Sequence, residues 1–189
     1  MTTALLIIDM QMGMMERIAA GRDHVNPGAP ARVAGLLALF RARGLPVVHV
    51  HHDQPGTPFA AGLPSAEVIP EAAPVAGELV ITKSGSSAFA GTGLDGILRA
   101  RGIDRIVLCG AVAAFCVTST TRAASDLGYP VLLAADALMG FDVPRADGSR
   151  IDAATVLDVT LTLLGADFAE VLPARAIAAR LEGAAITAA

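Results

Sequence analysis

The chain has 189 residues, which is enough for one domain with a substantial hydrophobic core. Its 14 basic and 18 acidic residues give a net charge of −4 without a basic cluster, so nucleic acid is not an expected partner. The apolar fraction is 53%, yet no apolar run reaches the roughly 18–20 residues that span a bilayer. The N-terminus carries no basic leader, so we expect no signal peptide, no membrane partner and a cytoplasmic location.

Six short apolar runs along the chain predict β-strands. Most of them are continuously apolar rather than alternating, which is typical of parallel strands buried on both faces. The predicted strands are Ala4–Ile8, Pro46–His51, Leu79–Thr82, Arg105–Cys109, Pro130–Ala134 and Phe168–Leu172.

Helical patterns lie between these runs, and each pattern ends before a glycine that suits a left-handed helix C-cap. The predicted helices are Ala31–Arg43, Thr92–Arg101, Ala114–Leu127 and Ala153–Leu164, followed by Gly44, Gly102, Gly128 and Gly165. Strand–helix–strand alternation predicts one α/β domain over residues 1–189. We expect a three-layer αβα architecture, Rossmann-like and doubly wound, around a mainly parallel six-stranded sheet.

Two segments do not fit the alternation. The Pro- and Gly-rich segment His52–Gly77 is either irregular cover for a functional site or a surface excursion. The Ala-rich tail Gly183–Ala189 is expected to be frayed.

Three polar residues follow predicted strands at the sheet edge where α/β proteins bind ligands. Asp9 and Lys83 end the first and third strands, and Cys116 follows the fourth strand at the start of a predicted helix. If the strand order is 3-2-1-4-5-6, which is an assumption here, Asp9 and Cys116 flank the switch point of the sheet. The three residues would then meet at one site.

The chemistry of this set is that of acyl transfer. A helix N-terminus and a cation stabilise a thiolate, so both would make Cys116 a better nucleophile. Asp9 would move the proton, Lys83 would hold Asp9 ionised, and the backbone N–H groups of the turn before Cys116 would form an oxyanion hole. Bland alternatives stay open, because Cys116 is equally compatible with core packing or a disulfide to Cys109, and Asp9 and Lys83 with a cap and a solvated charge.

Four blocks of the sequence carry a resemblance to a known family. They are Ala4–Gln11 (ALLIIDMQ), Pro46–His52 (PVVHVHH), Ile81–Thr92 (ITKSGSSAFAGT) and the cysteine block from Gly110 to Gly128. In this order they resemble the isochorismatase-like cysteine hydrolases, which include nicotinamidases, N-carbamoylsarcosine amidohydrolases and ureidoacrylate amidohydrolases. The resemblance implies a catalytic triad of Asp9, Lys83 and Cys116, a small-molecule substrate and a homo-oligomer.

The resemblance also implies details around the nucleophile. It places a cis peptide bond between Ala111 and Val112, which would direct the Val112 N–H toward the substrate oxygen beside the N–H of Cys116. The candidate substrate-binding residues are Gln11, Phe89, Ala113 and Phe115, and the two phenylalanines are either pocket walls or core residues. Family members often carry threonine and a polar residue where this chain has Ala113 and Ala114, a departure that bears on the substrate more than on the mechanism.

The histidines of the second predicted strand invite a metal interpretation. Period-two alternation puts His49 and His51 on one face and His52 on the other. The nicotinamidases use an Asp-x-His pair and further histidines for a zinc-type site, whereas the one other histidine of this chain, His24, is far upstream. We therefore expect no metal at His49, His51 and His52, and no cofactor.

These observations predict hydrolysis of a small amide, carbamoyl or ureido C–N bond through a thioester. The presence of Cys116 favours this reaction over the vinyl-ether cleavage of true isochorismatases, which do not use a cysteine nucleophile. The alternatives are a catalytically silent protein that keeps the fold, favoured by the Ala113–Ala114 pair, and a redox sensor acting through Cys116.

Overall fold

The computed structural model describes residues 2–186 of the chain. The strands are β1 (Thr2–Ile8), β2 (His24–Val25), β3 (Val47–His52), β4 (Leu79–Lys83), β5 (Ile103–Ala111), β6 (Val131–Phe141), β7 (Val143–Pro144), β8 (Arg150–Ile151) and β9 (Glu170–Leu172). The helices are α1 (Met12–Ala19), α2 (Ala29–Ala42), α3 (Leu94–Ala100), α4 (Thr118–Asp126), α5 (Ala153–Asp167) and α6 (Ala174–Ile186). Within the described residues, no helix combines the length and apolar character needed to cross a bilayer.

The central sheet has the strand order that was assumed from the fold class. Six parallel strands follow one another as β4-β3-β1-β5-β6-β9, which is the order 3-2-1-4-5-6 of the predicted strands. A seventh strand, β2, pairs antiparallel with the end of β6, so the prediction of six strands was one short. Strand β2 has only two residues, which is too short for a hydrophobic pattern to predict it. Strands β7 and β8 are equally short and pair with each other in a separate antiparallel ribbon.

Side chains of β1 alternate between two hydrophobic cores, one on each face of the sheet. Leu5 and Ile7 point into the core beneath α1, α2 and α6, and Leu6 and Ile8 into the core beneath α3, α4 and α5. All four side chains are buried, and such burial contributes about 1.5–3 kcal/mol for each large aliphatic residue. The arrangement is the expected three-layer αβα fold.

The predicted helices are present, with two differences at their ends. Gly44, Gly102 and Gly128 follow helices with positive φ, as predicted for C-caps. Gly165 does not end α5, because the helix continues to Asp167 and the glycine instead lets Val171 of β9 approach, with a Cβ there only 3.3 Å from its side chain. Helix α6 includes the first part of the tail predicted to be frayed, and residues 187–189 lie outside the described residues.

The segment predicted as one helix from Ala114 to Leu127 is divided. A π-helical turn spans Ala113–Val117, and regular α4 begins at Thr118. The structure therefore places Cys116 inside a widened turn rather than in the first turn of an α-helix. Such π-turns occur frequently at functional sites.

Strands β1 and β5 approach each other closely just before this turn. Gly110 pairs with Ile8, and a Cβ at Gly110 would lie 2.1 Å from the carbonyl oxygen of Ile8. Its φ of 117° is also a conformation that other residues rarely adopt. Only glycine allows the two strands to bring the residues that follow them together.

We predict that Gly110→Ala lowers the free energy of unfolding by about 3 kcal/mol or more, because backbone strain and overpacking act together. The control is Gly35→Ala in α2, where a Cβ meets no atom within 4 Å. Alanine there should stabilise the protein by about 0.5–1 kcal/mol. Chemical denaturation of both variants checks the pair, and equal stability of Gly110→Ala and the parent would contradict the close approach.

Candidate active site

Asp9, Lys83 and Cys116 meet at the carboxyl edge of the sheet. Asp9 directly follows β1, Lys83 is the last residue of β4, and Cys116 lies in the π-turn after β5. The register aligns Ile8 with Gly110 and with Val50, and Lys83 pairs with His52 two residues beyond Val50, so the three strands end within two residues of one another. Strand β3 lies between β1 and β4, and the long Lys83 side chain reaches across its end.

The Lys83 ammonium stands at the centre of the site. Its Nζ donates to Oδ2 of Asp9 at 2.8 Å and lies 3.3 Å from Sγ of Cys116. It also lies 3.2 Å from Nδ1 of His52 and from the carbonyl oxygen of Gly85. The Lys83 residue is only 2% exposed, so these contacts replace the water that a charged group would otherwise bind.

Asp9 is buried in a conformation that few residues other than glycine adopt. Its φ is 48°, in the left-handed region, and the residue is 1% exposed. Burial raises the pKa of the Asp9 carboxyl, and the Lys83 ammonium opposes this rise. Oδ1 is buried without a hydrogen-bond partner among the described residues, so one oxygen of the carboxylate is available to accept a proton.

Cys116 carries a thiol that is protonated at neutral pH. Burial and the Asp9 carboxylate raise the pKa of Cys116 to about 11, against the opposing effect of Lys83. The sequence analysis expected a stabilised thiolate, and the structure corrects that expectation, because burial and Asp9 outweigh the ammonium. A base is therefore needed to activate this thiol. Cys109, the other cysteine, is fully buried in the core, and both cysteines are free.

The turn before the nucleophile has the predicted backbone feature. The peptide bond between Ala111 and Val112 is cis. The carbonyl oxygen of Val112 accepts the N–H of Phe115 at 2.9 Å, and the Thr118 hydroxyl donates to the carbonyl oxygen of Ala113 at 2.7 Å. A threonine after the cysteine thus supports the turn in a chain that has alanine before it.

A cavity of about 460 Å³ opens onto the nucleophile. Its lining residues come from α1, from the loop after β3 and from the π-turn: Asp9, Met14, Arg17, Arg22, His52, Gln54, Thr57, Pro58, Phe59, Val112, Phe115 and Cys116. Val112 and Cys116, the predicted oxyanion residues, both lie on this wall. The segment after His52 is therefore cover for the site, one of the two interpretations left open by the sequence.

The predicted substrate-binding residues separate into two groups. Phe115 lines the cavity and is 52% exposed. Ala113 and Phe89 do not line the cavity, because Ala113 is buried in the core and Phe89 packs on the same core with its ring stacked on Tyr129 at 6.1 Å. For these two residues the structure corrects the expectation of substrate contact.

Gln11 is the third correction, because its amide is fully used by the backbone. Nε2 donates to the carbonyl oxygens of His52 at 3.0 Å and Ala66 at 2.8 Å, and Oε1 accepts the N–H of His52 at 2.9 Å. Gln11 is 1% exposed and does not line the cavity of Cys116. These hydrogen bonds fix the two ends of the loop between His52 and Ala66.

The three histidines of β3 do not converge on one point. His49 pairs with Glu78 at 2.8 Å, and burial lowers the pKa of its imidazole. Metal-ligand atoms of Asp9, His52 and Cys116 do lie within 4.8 Å of one another. The Lys83 ammonium is within hydrogen-bond distance of all three, so the donor set is one that surrounds an ammonium and does not fit a metal ion.

Sequence reasoning missed the cationic wall of the cavity. Arg17 and Arg22 lie at the end of α1 and just beyond it, and both line the cavity. Met14 and Phe59 add apolar surface beside them. The sequence does predict that the segment Met12–Ile18 helps to shape the pocket, but its pattern does not show that arginine side chains face the cavity.

Comparison with known proteins finds a matching family model and similar proteins of known sequence and structure. Residues 3–173 match the family model of the isochorismatase domain. A secreted isochorismatase effector of Verticillium dahliae is 36% identical over 169 residues, covering 86% of this chain and 87% of that protein. A streptothricin hydrolase of Streptomyces noursei is 36% identical over 146 residues, covering 76% of this chain and 51% of that protein. The crystal structure of a cysteine hydrolase from Pseudomonas syringae pv. phaseolicola has a TM-score of 0.87 at 28% identity, covering 96% of this chain and 93% of that chain.

We predict opposite effects of the two charged neighbours on the alkylation of Cys116. At pH 8, Asp9→Asn should speed labelling by iodoacetamide severalfold, because this reagent reacts with the thiolate already present in solution equilibrium, and losing the carboxylate charge lowers the pKa of the thiol. Lys83→Met should slow it, because the ammonium that stabilises the thiolate is lost. The rates are read for the Cys116 peptide by mass spectrometry between pH 7 and 10.

The control for this experiment is Asp158→Asn, which removes an exposed carboxylate of α5 and makes the same change in net charge. It should leave the rate unchanged. Slower labelling of Asp9→Asn would show that the carboxylate does not hold the thiol in its protonated form.

Proposed function

Because this chain belongs to the isochorismatase family, we propose that it is a cysteine-dependent hydrolase that cleaves a C–N bond in a small amide, carbamoyl or ureido compound. The observation that carries the proposal is the contact of one buried ammonium, on Lys83, with both the Asp9 carboxylate and the Cys116 sulfur. The streptothricin hydrolase and the cysteine hydrolase among the relatives support it.

In the first step, Cys116 attacks the substrate carbonyl. Asp9 takes the thiol proton as the new S–C bond forms, and its burial makes the carboxylate a stronger base than an exposed aspartate. The carbonyl oxygen gains negative charge, which the backbone N–H groups of Val112 and Cys116 stabilise. The positive charge of Lys83 offsets the negative charge that passes from Asp9 to the reacting groups while the proton moves.

In the second step, the tetrahedral intermediate collapses. The C–N bond breaks, Asp9 returns its proton to the leaving nitrogen, and a thioester on Cys116 remains. A water molecule then attacks the thioester carbon and gives its proton to Asp9. The S–C bond breaks, the acid is released, and the thiol recovers its proton from Asp9.

We propose that the reaction uses no metal ion and no other cofactor. The place between Asp9, His52 and Cys116 that a metal would need is within hydrogen-bond distance of the Lys83 ammonium. The ammonium supplies the positive charge that a metal ion provides in other hydrolases.

The two alternative functions lose their support. The Ala113–Ala114 pair, which favoured a catalytically silent protein, does not line the cavity. Redox-sensing cysteines have low pKa values, whereas the pKa of Cys116 is raised. Neither feature therefore argues against catalysis by Cys116.

We predict that Cys116→Ala lowers turnover of any small amide or urea that the protein hydrolyses by about 1000-fold or more, because no nucleophile remains. Cys109→Ala is the matched control and should retain turnover, since Cys109 is fully buried in the core. Mass spectrometry after rapid acid quenching should find an acyl adduct on the Cys116 peptide. Equal turnover by Cys116→Ala and the parent would refute the proposal.

A further inference from the structure

Arg17 is a cation on the cavity wall that lacks an acidic partner. It lies in the last turn of α1, is partly buried, and lines the same cavity as Cys116. Within residues 2–186, no carboxylate forms an ion pair with it, and its hydrogen-bond contact is with the sulfur of Met14 at 4.0 Å. A guanidinium has five donors, so most of them are left for another molecule.

Arg22, the other arginine of this wall, has an acidic partner. Its Nε donates to the Asp142 carboxylate at 2.9 Å, and a terminal nitrogen donates to the carbonyl oxygen of Asp142 at 2.8 Å. Arg150 binds the second oxygen of the same carboxylate. The Asp142 carboxylate therefore pairs with two arginines, one on each oxygen, and forms no ion pair with Arg17.

Aromatic rings hold the Arg17 guanidinium in place. Its central carbon lies 5.4 Å from the ring centre of Phe59 and 5.8 Å from that of Phe141. These contacts stabilise a cation and fix its orientation, but they do not satisfy its N–H donors. Burial and the neighbouring Arg22 both lower the pKa of Arg17, which shows that the position is unfavourable for an unpaired positive charge.

The charges on the cavity wall therefore do not balance. Asp9 pairs with Lys83, and Arg22 shares the Asp142 carboxylate with Arg150, whereas Arg17 forms no ion pair with a carboxylate of the described residues. One unmatched guanidinium suits one negative charge, and its planar fork suits a carboxylate.

We infer that the substrate is a small amide or ureide that carries a carboxylate, and that Arg17 binds this carboxylate while Cys116 attacks the carbonyl. The inference rests on the proposed function and adds the substrate class to it. Arg17 would then determine specificity without taking part in proton transfer.

Two alkylating agents of similar size test this assignment. Iodoacetate and iodoacetamide react with a thiol through the same iodine-bearing carbon. Iodoacetate carries a carboxylate, whereas iodoacetamide carries a neutral amide. The measured quantity is the ratio of their rates at Cys116, iodoacetate over iodoacetamide. Because both reactions use the same thiolate, changes in the pKa of the thiol cancel in the ratio.

The ratio should fall about tenfold in Arg17→Met, which is the loss expected when one charge-assisted interaction is removed. Arg17→Lys should retain part of the parent ratio, because lysine keeps the positive charge but lacks the planar guanidinium that binds both carboxylate oxygens. Arg32→Met is the matched control, since Arg32 is exposed on α2 and paired with Asp136. It should leave the ratio unchanged.

The two hypotheses fail in different ways. An unchanged ratio in Arg17→Met, with iodoacetamide still labelling Cys116 at the parent rate, would overturn the carboxylate assignment and leave the hydrolase proposal intact. If iodoacetamide labels Cys116 no faster than the buried Cys109 in the parent protein, the proposed nucleophile fails, and the substrate assignment fails with it.

Discussion

The buried ammonium of Lys83 is the interaction on which the site depends. A charge removed from water destabilises a protein by several kcal/mol unless partners compensate it, and among the described residues Asp9 is the one group in contact that carries the opposite charge. The pair joins β1 to the edge strand β4 across β3, so it forms only when the three strands are neighbours in this order. A register slip of one residue would turn Lys83 to the other face of the sheet. The Lys83–Asp9 ion pair therefore depends on both the strand order and the register of this sheet.

Opposing influences act on the thiol of Cys116. Lys83 favours the thiolate, while burial and Asp9 favour the thiol, and the thiol is the stable form at neutral pH. A neutral thiol reacts slowly with oxidants and stray electrophiles. In the proposed reaction the sulfur becomes nucleophilic as its proton moves to Asp9, so activation is linked to the arrival of a carbonyl in the cavity.

The sheet and the meeting of Asp9, Lys83 and Cys116 are predictable from the sequence for the same physical reason. Strands such as Ala4–Ile8 are buried on both faces, so their apolar runs are continuous, and a polar residue at the end of such a run marks the functional edge. Local pattern could not show the two-residue β2, nor that Gly165 packs against Val171 instead of ending α5. Gln11, Phe89 and Arg17 illustrate a second limit, because contacts such as those of Gln11 with the backbone of His52 and Ala66 join residues far apart in sequence.

Hydrogen bonds from the residues around Gln11 hold both ends of one segment of the cavity wall. The Gln11 amide holds His52 and Ala66, and the backbone around Met10–Met12 also pairs with residues 67–69. The thirteen residues between these anchors, 53–65, include four of the cavity-lining residues. Both ends of this insert are fastened to residues 10–12, which directly follow Asp9, so its interior can change in sequence without displacing Asp9, Lys83 and Cys116. Changes within residues 53–65 can therefore alter the shape of the cavity while the groups at the sheet edge keep their positions.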